Sequence, residues 1–277
     1  MGNVHDPTLQ AFDDKWGARW KGGFDAAHDE RMFRAFFSLF PLNELADAEG
    51  FDLGCGVGRW AEMIAPRVGR LHCIDPSPNA LAAARAALRS HQNAEFHLAA
   101  VDDMPLADGS QDFGYSMGVL HHVPDTEAGL RRCVAKLKPG APFLLYLYYR
   151  FDNRPLWFQG LWKLSDWGRR LICRMPFRAR KALCDAIAIG VYWPLSRAAL
   201  LIERAGANVE NFPLSFYRRT PVTNLKVSSL DRFGTPLEQR FTRAEIEAMM
   251  RRSGLENIVF RDRAPYWVAL GRRAKEP

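Results

Sequence analysis

The amino-acid sequence predicts an α/β protein built on a doubly wound parallel sheet. Three observations carry that prediction. A glycine loop, Gly54-Cys55-Gly56-Val57-Gly58, follows the apolar residues Phe51 and Leu53 and precedes a helical pattern from Arg59. A second short apolar run, from Leu71 to Ile74, ends in the acid Asp75. Further short apolar runs then alternate with helical patterns as far as Tyr148. Glycine lets such a loop turn tightly and brings its amide groups within reach of a ligand, because no Cβ intervenes. A helix N-terminus behind the loop would add unpaired N–H groups and the positive end of a dipole. A nucleotide-like ligand is therefore expected at the carboxyl end of the first strand.

Taken in order, residues 8–40 read as helical. Phe12, Trp16 and Trp20 recur at helical spacing, and Met32, Phe33, Phe36, Phe37 and Phe40 form a second stripe before Pro41. This stretch, within 1–48, is expected to cap the sheet. The core is expected over 49–149. After the loop come a helix over 59–67, a strand over 71–75 and an Ala-rich helix over 79–90, with Ser77 available as its cap and Pro78 near its first turn. Asp75 is placed to accept both hydroxyls of a ribose. Strands follow at 95–100, 113–117 and 142–148, with a helix at 126–137. Residues 150–240 form an insertion with helices expected at 155–174 and 177–205, a break at Pro194 and an irregular stretch over 206–240. The core resumes at 241–277: Thr242 and Glu245 match a capping box, Gly254 ends that helix, and strands are expected at 257–261 and 266–271.

The chain has 277 residues, a net charge of +7 and a 48% hydrophobic composition, ordinary for a globular protein with a sizeable core. The positive charge is local: residues 150–240 hold 16 Lys/Arg against 7 Asp/Glu. That segment is a candidate surface for an anionic partner. The N-terminus has no signal-peptide pattern, and apolar stretches such as Ala186–Leu195 are too short to span a bilayer. Five cysteines, odd in number and without zinc-ligand spacing, read as reduced thiols of a cytoplasmic protein with no metal site.

The spacing Asp52-Leu-Gly-Cys-Gly-Val-Gly58 differs from the G-x-G-x-x-G dinucleotide fingerprint and resembles motif I of the class I S-adenosylmethionine (SAM) methyltransferases. The tract Phe113-Gly114-Tyr115-Ser116-Met117-Gly118-Val119-Leu120-His121-His122-Val123-Pro124-Asp125 resembles strand four and the following turn of the ubiquinone/menaquinone-biosynthesis type methyltransferases, and the resemblance runs in unbroken order from about 50 to 149. It implies a seven-stranded, Rossmann-like sheet closed by an antiparallel hairpin, with an N-terminal helical cap and a largely helical insertion after strand five. It also implies SAM as cofactor, held by Asp52, Gly54, Cys55, Gly56, Gly58, Arg59, Asp75, Pro76 and Met117. Adenine would meet Val101 and Asp102, the latter standing in for the acid usually found where Ala100 lies. His122, His121 and Tyr149 are the catalytic candidates beside the transferred methyl group. Trp16, Tyr146, Arg150 and Arg154 are the candidate acceptor contacts, the arginines because a planar guanidinium suits a carboxylate or phosphate.

The reading expected is methyl transfer to a small, anionic or amphipathic acceptor, with 150–240 as a lid. Two alternatives compete: a nucleic-acid methyltransferase docking through its basic insertion, and a non-catalytic SAM-binding protein. The first lacks the Asn/Asp-Pro-Pro-Tyr tetrapeptide of many base methyltransferases, and the intact glycine loop argues against the second. A membrane contact is disfavoured, because Trp157, Trp162 and Trp167 recur every five residues and so spread around a helix. The oligomeric state is left open.

Overall fold

A computed structural model describes residues 2–19 and 26–275; Trp20 and the side chain of Trp16 lie outside the described residues. The chain forms two compact units, one of Met1–Arg150 with Leu237–Pro277 and one of Phe151–Pro236.

The first unit holds a seven-stranded sheet in the order β3-β2-β1-β4-β5-β7-β6. Strands β1 (Glu49–Leu53), β2 (Arg70–Asp75), β3 (Ala94–Leu98), β4 (Phe113–Met117) and β5 (Pro142–Tyr146) run parallel. β6 (Leu255–Phe260) and β7 (Val268–Arg273) form the antiparallel hairpin, with β7 antiparallel to β5. The strands of the middle are almost wholly buried because helices cover both faces, which is what a parallel sheet requires. Alternation sorts the core. Phe51, Phe143 and Leu145 meet Leu130 of α5 (Thr126–Lys136) and Ile246 and Met250 of α10 (Arg243–Arg252). On the other face Phe113, Tyr115 and Leu144 meet Leu81 of α4 (Pro78–Ala87) and Phe33 of α2 (Ala26–Phe36). α1 (Asp6–Arg19) precedes α2.

Local chemistry sets the helix ends. Ser77 Oγ accepts from Ala80 N at the start of α4, and Asp125 does the same for Ala128 in α5. Thr242 and Glu245 form a complete capping box on α10. The helix expected over 59–67 is shorter than its pattern suggests. α3 spans only Ala61–Ile64 and tightens into a 3-10 turn at Ala65–Arg67, where Pro66 has no N–H to continue the α ladder. The glycine loop therefore has only a short helical turn behind it, and its own amides bond within the fold, Gly54 N and Cys55 N to Ile74 O and Gly58 N to Cys55 O.

The second unit is helical: α6 (Leu156–Ile172), α7 (Phe177–Ile187), α8 (Trp193–Arg204) and α9 (Val222–Gly234). Two expectations are corrected here. Pro194 does not break the second helix, because it sits in the first turn of α8, after a π turn at Ala188–Tyr192 that joins α7 to α8. The stretch expected to be irregular contains α9, started by Pro221 and packed against α7 and the π turn, with Leu225 fully buried. Tertiary packing supplies what that polar sequence lacks in local propensity.

A close approach in the sheet yields a stability prediction. A Cβ on Gly114 would lie 2.5 Å from the Phe51 ring and 3.1 Å from that of Phe143. Gly114→Ala should cost about 1–3 kcal/mol by overpacking. Urea denaturation of the purified variant measures it, and an unchanged midpoint would refute the packing argument.

Candidate functional site

The candidate site is built at the carboxyl edge of β1, β2, β4 and β5, where a doubly wound sheet opens. The glycine loop leaves β1 with Gly54 N and Cys55 N both donating to Ile74 O, at 2.7 and 3.1 Å. Gly54, Gly56 and Gly58 all have positive φ, 76°, 55° and 82°. At position 54 a Cβ would also lie 2.3 Å from Val119, so the loop packs directly on the segment after β4.

Asp75 braces this loop. Its Oδ2 accepts from Gly56 N and its Oδ1 from Ser77 N, each at 2.9 Å. One carboxylate thus joins the glycine loop to the start of α4. Asp52, in register with Tyr115 on β4, is buried. Burial pushes its carboxyl well above the usual range; the Tyr115 hydroxyl opposes that rise and the Asp75 charge adds to it. Cys55 lies beside Cys73, and hydrogen bonding between the two thiols, together with burial, pushes its thiol well up. It is therefore a neutral packing thiol. Arg59 turns away from the loop, donating from Nε to Asp29 Oδ1 at 2.7 Å and lying 4.4 Å over the Trp60 ring. Pro76 occupies the turn between Asp75 and α4, and Met117 ends β4 opposite Tyr146 of β5.

Val101 is buried in a short 3-10 turn after β3, and Asp102 accepts from Asn3 N. Asn3 also brackets Asp125, accepting from its N–H at 2.7 Å and donating to its carbonyl at 2.6 Å. Asp13 of α1 accepts from Ser77 Oγ at 2.5 Å and from Asn79 Nδ2 at 2.8 Å. The N-terminal segment is thereby stapled across the loops after β2 and β3. Neither Asn3 nor Asp13 carries a local signal in the sequence, since both act on partners more than 60 residues away.

The histidine pair lies in a 3-10 turn after β4, both members buried. His122 Nδ1 lies 2.7 Å from Leu237 O. A carbonyl only accepts, so the proton is assigned to Nδ1, and Nε2 carries the lone pair. Phe12 meets the same imidazole edge-on at 5.0 Å. His121 is stacked on Tyr148 at 3.8 Å, and its Nδ1 accepts from Tyr148 N at 3.4 Å. That assigns its proton to Nε2, which has no partner among the described residues. Burial first, then the neighbouring His122 and Arg240 charges, hold the His121 pKa well below the usual histidine range.

The remaining candidates disperse. Tyr149 is not beside the histidines' rings in the way Tyr148 is: it faces Tyr266 at 5.5 Å and packs on the core. Tyr148, unremarked as a catalytic candidate, contacts both histidines. Tyr146 packs against Phe36 at 4.9 Å. Arg150 is committed to the seam where the chain returns, donating to Glu245 Oε1 at 2.9 Å and twice to Arg240 O. Arg154 lies within the second unit, donating to Glu210 O and Asn211 Oδ1 at 2.7 and 2.9 Å. Both guanidiniums named as acceptor contacts thus have partners within their own units.

On the β2–β3 edge, His72, Glu95 and His97 have ligand atoms close together. His72 Nδ1 lies 3.0 Å from His97 Nε2, and its Nε2 lies 2.9 Å from Glu49 Oε1. These groups satisfy one another as a polar ladder across three strands.

Residues 51–145 match a family profile described as a methyltransferase domain. A Xanthomonas oryzae ubiquinone biosynthesis O-methyltransferase is 31% identical over 154 residues, covering 52% of this chain and 62% of that protein. A Xanthomonas euvesicatoria protein of the same description is 36% identical over 153 residues, covering 52% and 61%. The alignments thus span about three fifths of these relatives. Among solved structures, a chain from a Haloferax volcanii complex of a methyltransferase with the Trm112 methyltransferase activator superposes with a TM-score of 0.58 at 16% identity, covering 98% of this chain and 99% of that one. The fold is shared with that solved methyltransferase chain. The chain carries a methyltransferase domain over residues 51–145, and its sequence relatives include ubiquinone biosynthesis O-methyltransferases.

His121 makes stability pH-dependent. Its folded pKa is depressed, so below about pH 6.5 the unfolded chain takes up a proton that the folded chain does not. Its contribution is intact above that pH and is lost as pH falls. His121→Leu should therefore gain stability relative to wild type between pH 7 and 5, as read by denaturation at each pH. A constant difference across that window would rule out a buried neutral His121.

Proposed function

We propose that this chain is a SAM-dependent methyltransferase acting on a small acceptor of anionic or amphipathic character, with a hydroxyl as the group methylated. The observation that carries the reading is the single carboxylate of Asp75 tying the glycine loop to α4, at the sheet edge that also bears the histidine pair. The residues fit the cofactor. Asp52 keeps a buried carboxylate oxygen without a hydrogen bond of good geometry, suited to a cationic ligand, and the loop glycines, at positive φ and without Cβ atoms, let a ligand approach the backbone closely. Asp52 and Gly54–Gly58 would hold its methionine end, Asp75 its ribose, and Val101 with Asp102 its adenine. When bound, it supplies a methyl group already activated on a sulfonium.

The chain's own work is then to position the acceptor and remove its proton. Positioning of reacting groups accounts for up to roughly 7–11 kcal/mol of barrier reduction in favourable cases. His122 donates from Nδ1 to Leu237 O, which orients the ring and leaves Nε2 as the atom that takes the acceptor proton. His121 and Tyr148 hold the turn. The O-methyltransferase description of the sequence relatives supports the hydroxyl acceptor. A C. elegans phosphoethanolamine N-methyltransferase 2, 33% identical over 130 residues that cover 28% of that protein, keeps an anionic amphipathic amine as the alternative.

Two variants test the assignments. Asp75→Ala should weaken S-adenosylhomocysteine binding by about 1.5–3 kcal/mol in calorimetry, the scale of charged hydrogen bonds. Equal affinity would remove Asp75 from the cofactor site. His122→Asn should lower turnover of a phenolic acceptor at least about a hundredfold, the contribution typical of a general base, with S-adenosylhomocysteine affinity unchanged. A variant of full activity would exclude His122 as the base.

A further inference from the structure

The second unit partitions its residues against the usual rule. Its apolar centre contains three buried side chains, Ala188, Tyr192 and Leu225. Two arginines are buried with them in this unit: Arg169, bonded to Asp166 Oδ1 at 2.8 Å and Thr235 O at 2.9 Å, and Arg180, bonded to Cys173 O. Meanwhile Leu156, Trp157, Leu161, Leu164, Trp167 and Leu171, all on α6, are exposed, from 48% at Leu161 to 84% at Leu156. Scattered exposed leucines are ordinary, whereas a contiguous exposed apolar stripe marks an interaction surface.

These six form one stripe. At 3.6 residues per turn they fall within an arc of about 140° on α6, together with Gly160 and Gly168, and no charged residue enters that arc. The five-residue tryptophan spacing therefore does not spread the apolar surface. Trp162 alone turns to the opposite side, where it meets Phe151 at 5.7 Å, and leucines fill the positions between Trp157 and Trp167. Lys163 and Arg170 flank the stripe on one side, and the wider segment 150–240 holds 16 Lys/Arg against 7 Asp/Glu. Apolar stripe, tryptophans and basic flank together have the chemistry of a helix lying in an anionic lipid surface.

We propose that α6 docks this protein on an anionic bilayer, its Leu/Trp stripe inserted at the headgroup boundary with Lys163 and Arg170 at the lipid phosphates. The charge complementarity selects anionic lipid over a second copy of this chain, whose equivalent face carries the same positive flank. A separate helix, Phe177–Arg204, is long and apolar enough to cross a membrane by length and composition alone, which makes spanning the outcome to be distinguished from docking. The apolar run at 186–195 lies inside this longer helix, because α7 and α8 join through the π turn. The docking inference rests on the second unit by itself and stands whether or not the methyltransferase reading does.

The test is flotation of the full-length protein with vesicles of phosphatidylcholine alone or with phosphatidylglycerol, at low and high salt. Wild type should float with anionic vesicles and be released by salt. Leu164→Glu/Trp167→Glu should lose at least about tenfold in partitioning, because charge enters the apolar stripe. Lys163→Gln/Arg170→Gln should lose binding to anionic vesicles preferentially. All should keep the wild-type melting temperature and S-adenosylhomocysteine affinity, since the substituted side chains are exposed; that binding readout separates a docking failure from a failure of the cofactor reading. No flotation of wild type at low salt, or flotation of the Glu variant equal to wild type, overturns the proposal. So does stripe-dependent dimerisation in sedimentation without vesicle binding, or attachment that resists alkaline carbonate, which would place Phe177–Arg204 across the bilayer instead.

Discussion

The candidate site depends on the carboxylate of Asp75. A parallel strand that ends at the sheet edge leaves the following backbone amides without ladder partners, and each must be paired or solvated. Asp75 takes two of them at once, from Gly56 and Ser77, and so couples two loops far apart in sequence. Asp13 and Asn3 extend the same logic. Side-chain oxygens from the N-terminal segment meet the start of α4 and the loop before α5, so the rim is held by directional polar contacts rather than by apolar packing. The hydrophobic layers beneath determine where the rim stands, and these contacts determine its shape.

The histidine pair shows how position separates two identical side chains. His121 is enclosed, stacked on Tyr148 and kept neutral by burial. His122, one residue on, reaches the Leu237 carbonyl where the chain returns from the second unit. A carbonyl partner selects one tautomer, and the tautomer selects which nitrogen is basic. The tract at 120–122 thus needs residue 237 for its chemistry to be defined.

The second unit obeys a different balance. Arg169 and Arg180 are buried on carbonyls and acids, while six large apolar residues of one helix face outward. In water that arrangement forgoes roughly 1.5–3 kcal/mol for each large side chain left exposed. An apolar partner surface would recover part of it, which is the physical basis of the docking proposed for α6.

The core of the fold was legible in the sequence because its signals are local. Alternating strands and helices, glycines that need positive φ, an acid closing β2, and Thr242 with Glu245 as a capping box each act within a few residues. The match to a methyltransferase domain was legible for the same reason: its motifs lie in order along one stretch, and the family profile covers 51–145. What the sequence hid depends on distance. α9 arises in a polar stretch because α7 and the π turn offer it a packing surface, and Pro194 is tolerated because the π turn places it in a first turn. Arg150 and Arg154, free charges by composition, have partners supplied by residues 56 to 95 positions away. Local periodicity and turn chemistry thus determined the sheet and the glycine loop, and the order of the motifs carried the resemblance to methyltransferases. Only the tertiary structure decided which polar groups pair and which apolar faces stay open, since both follow from contacts between residues far apart in the chain.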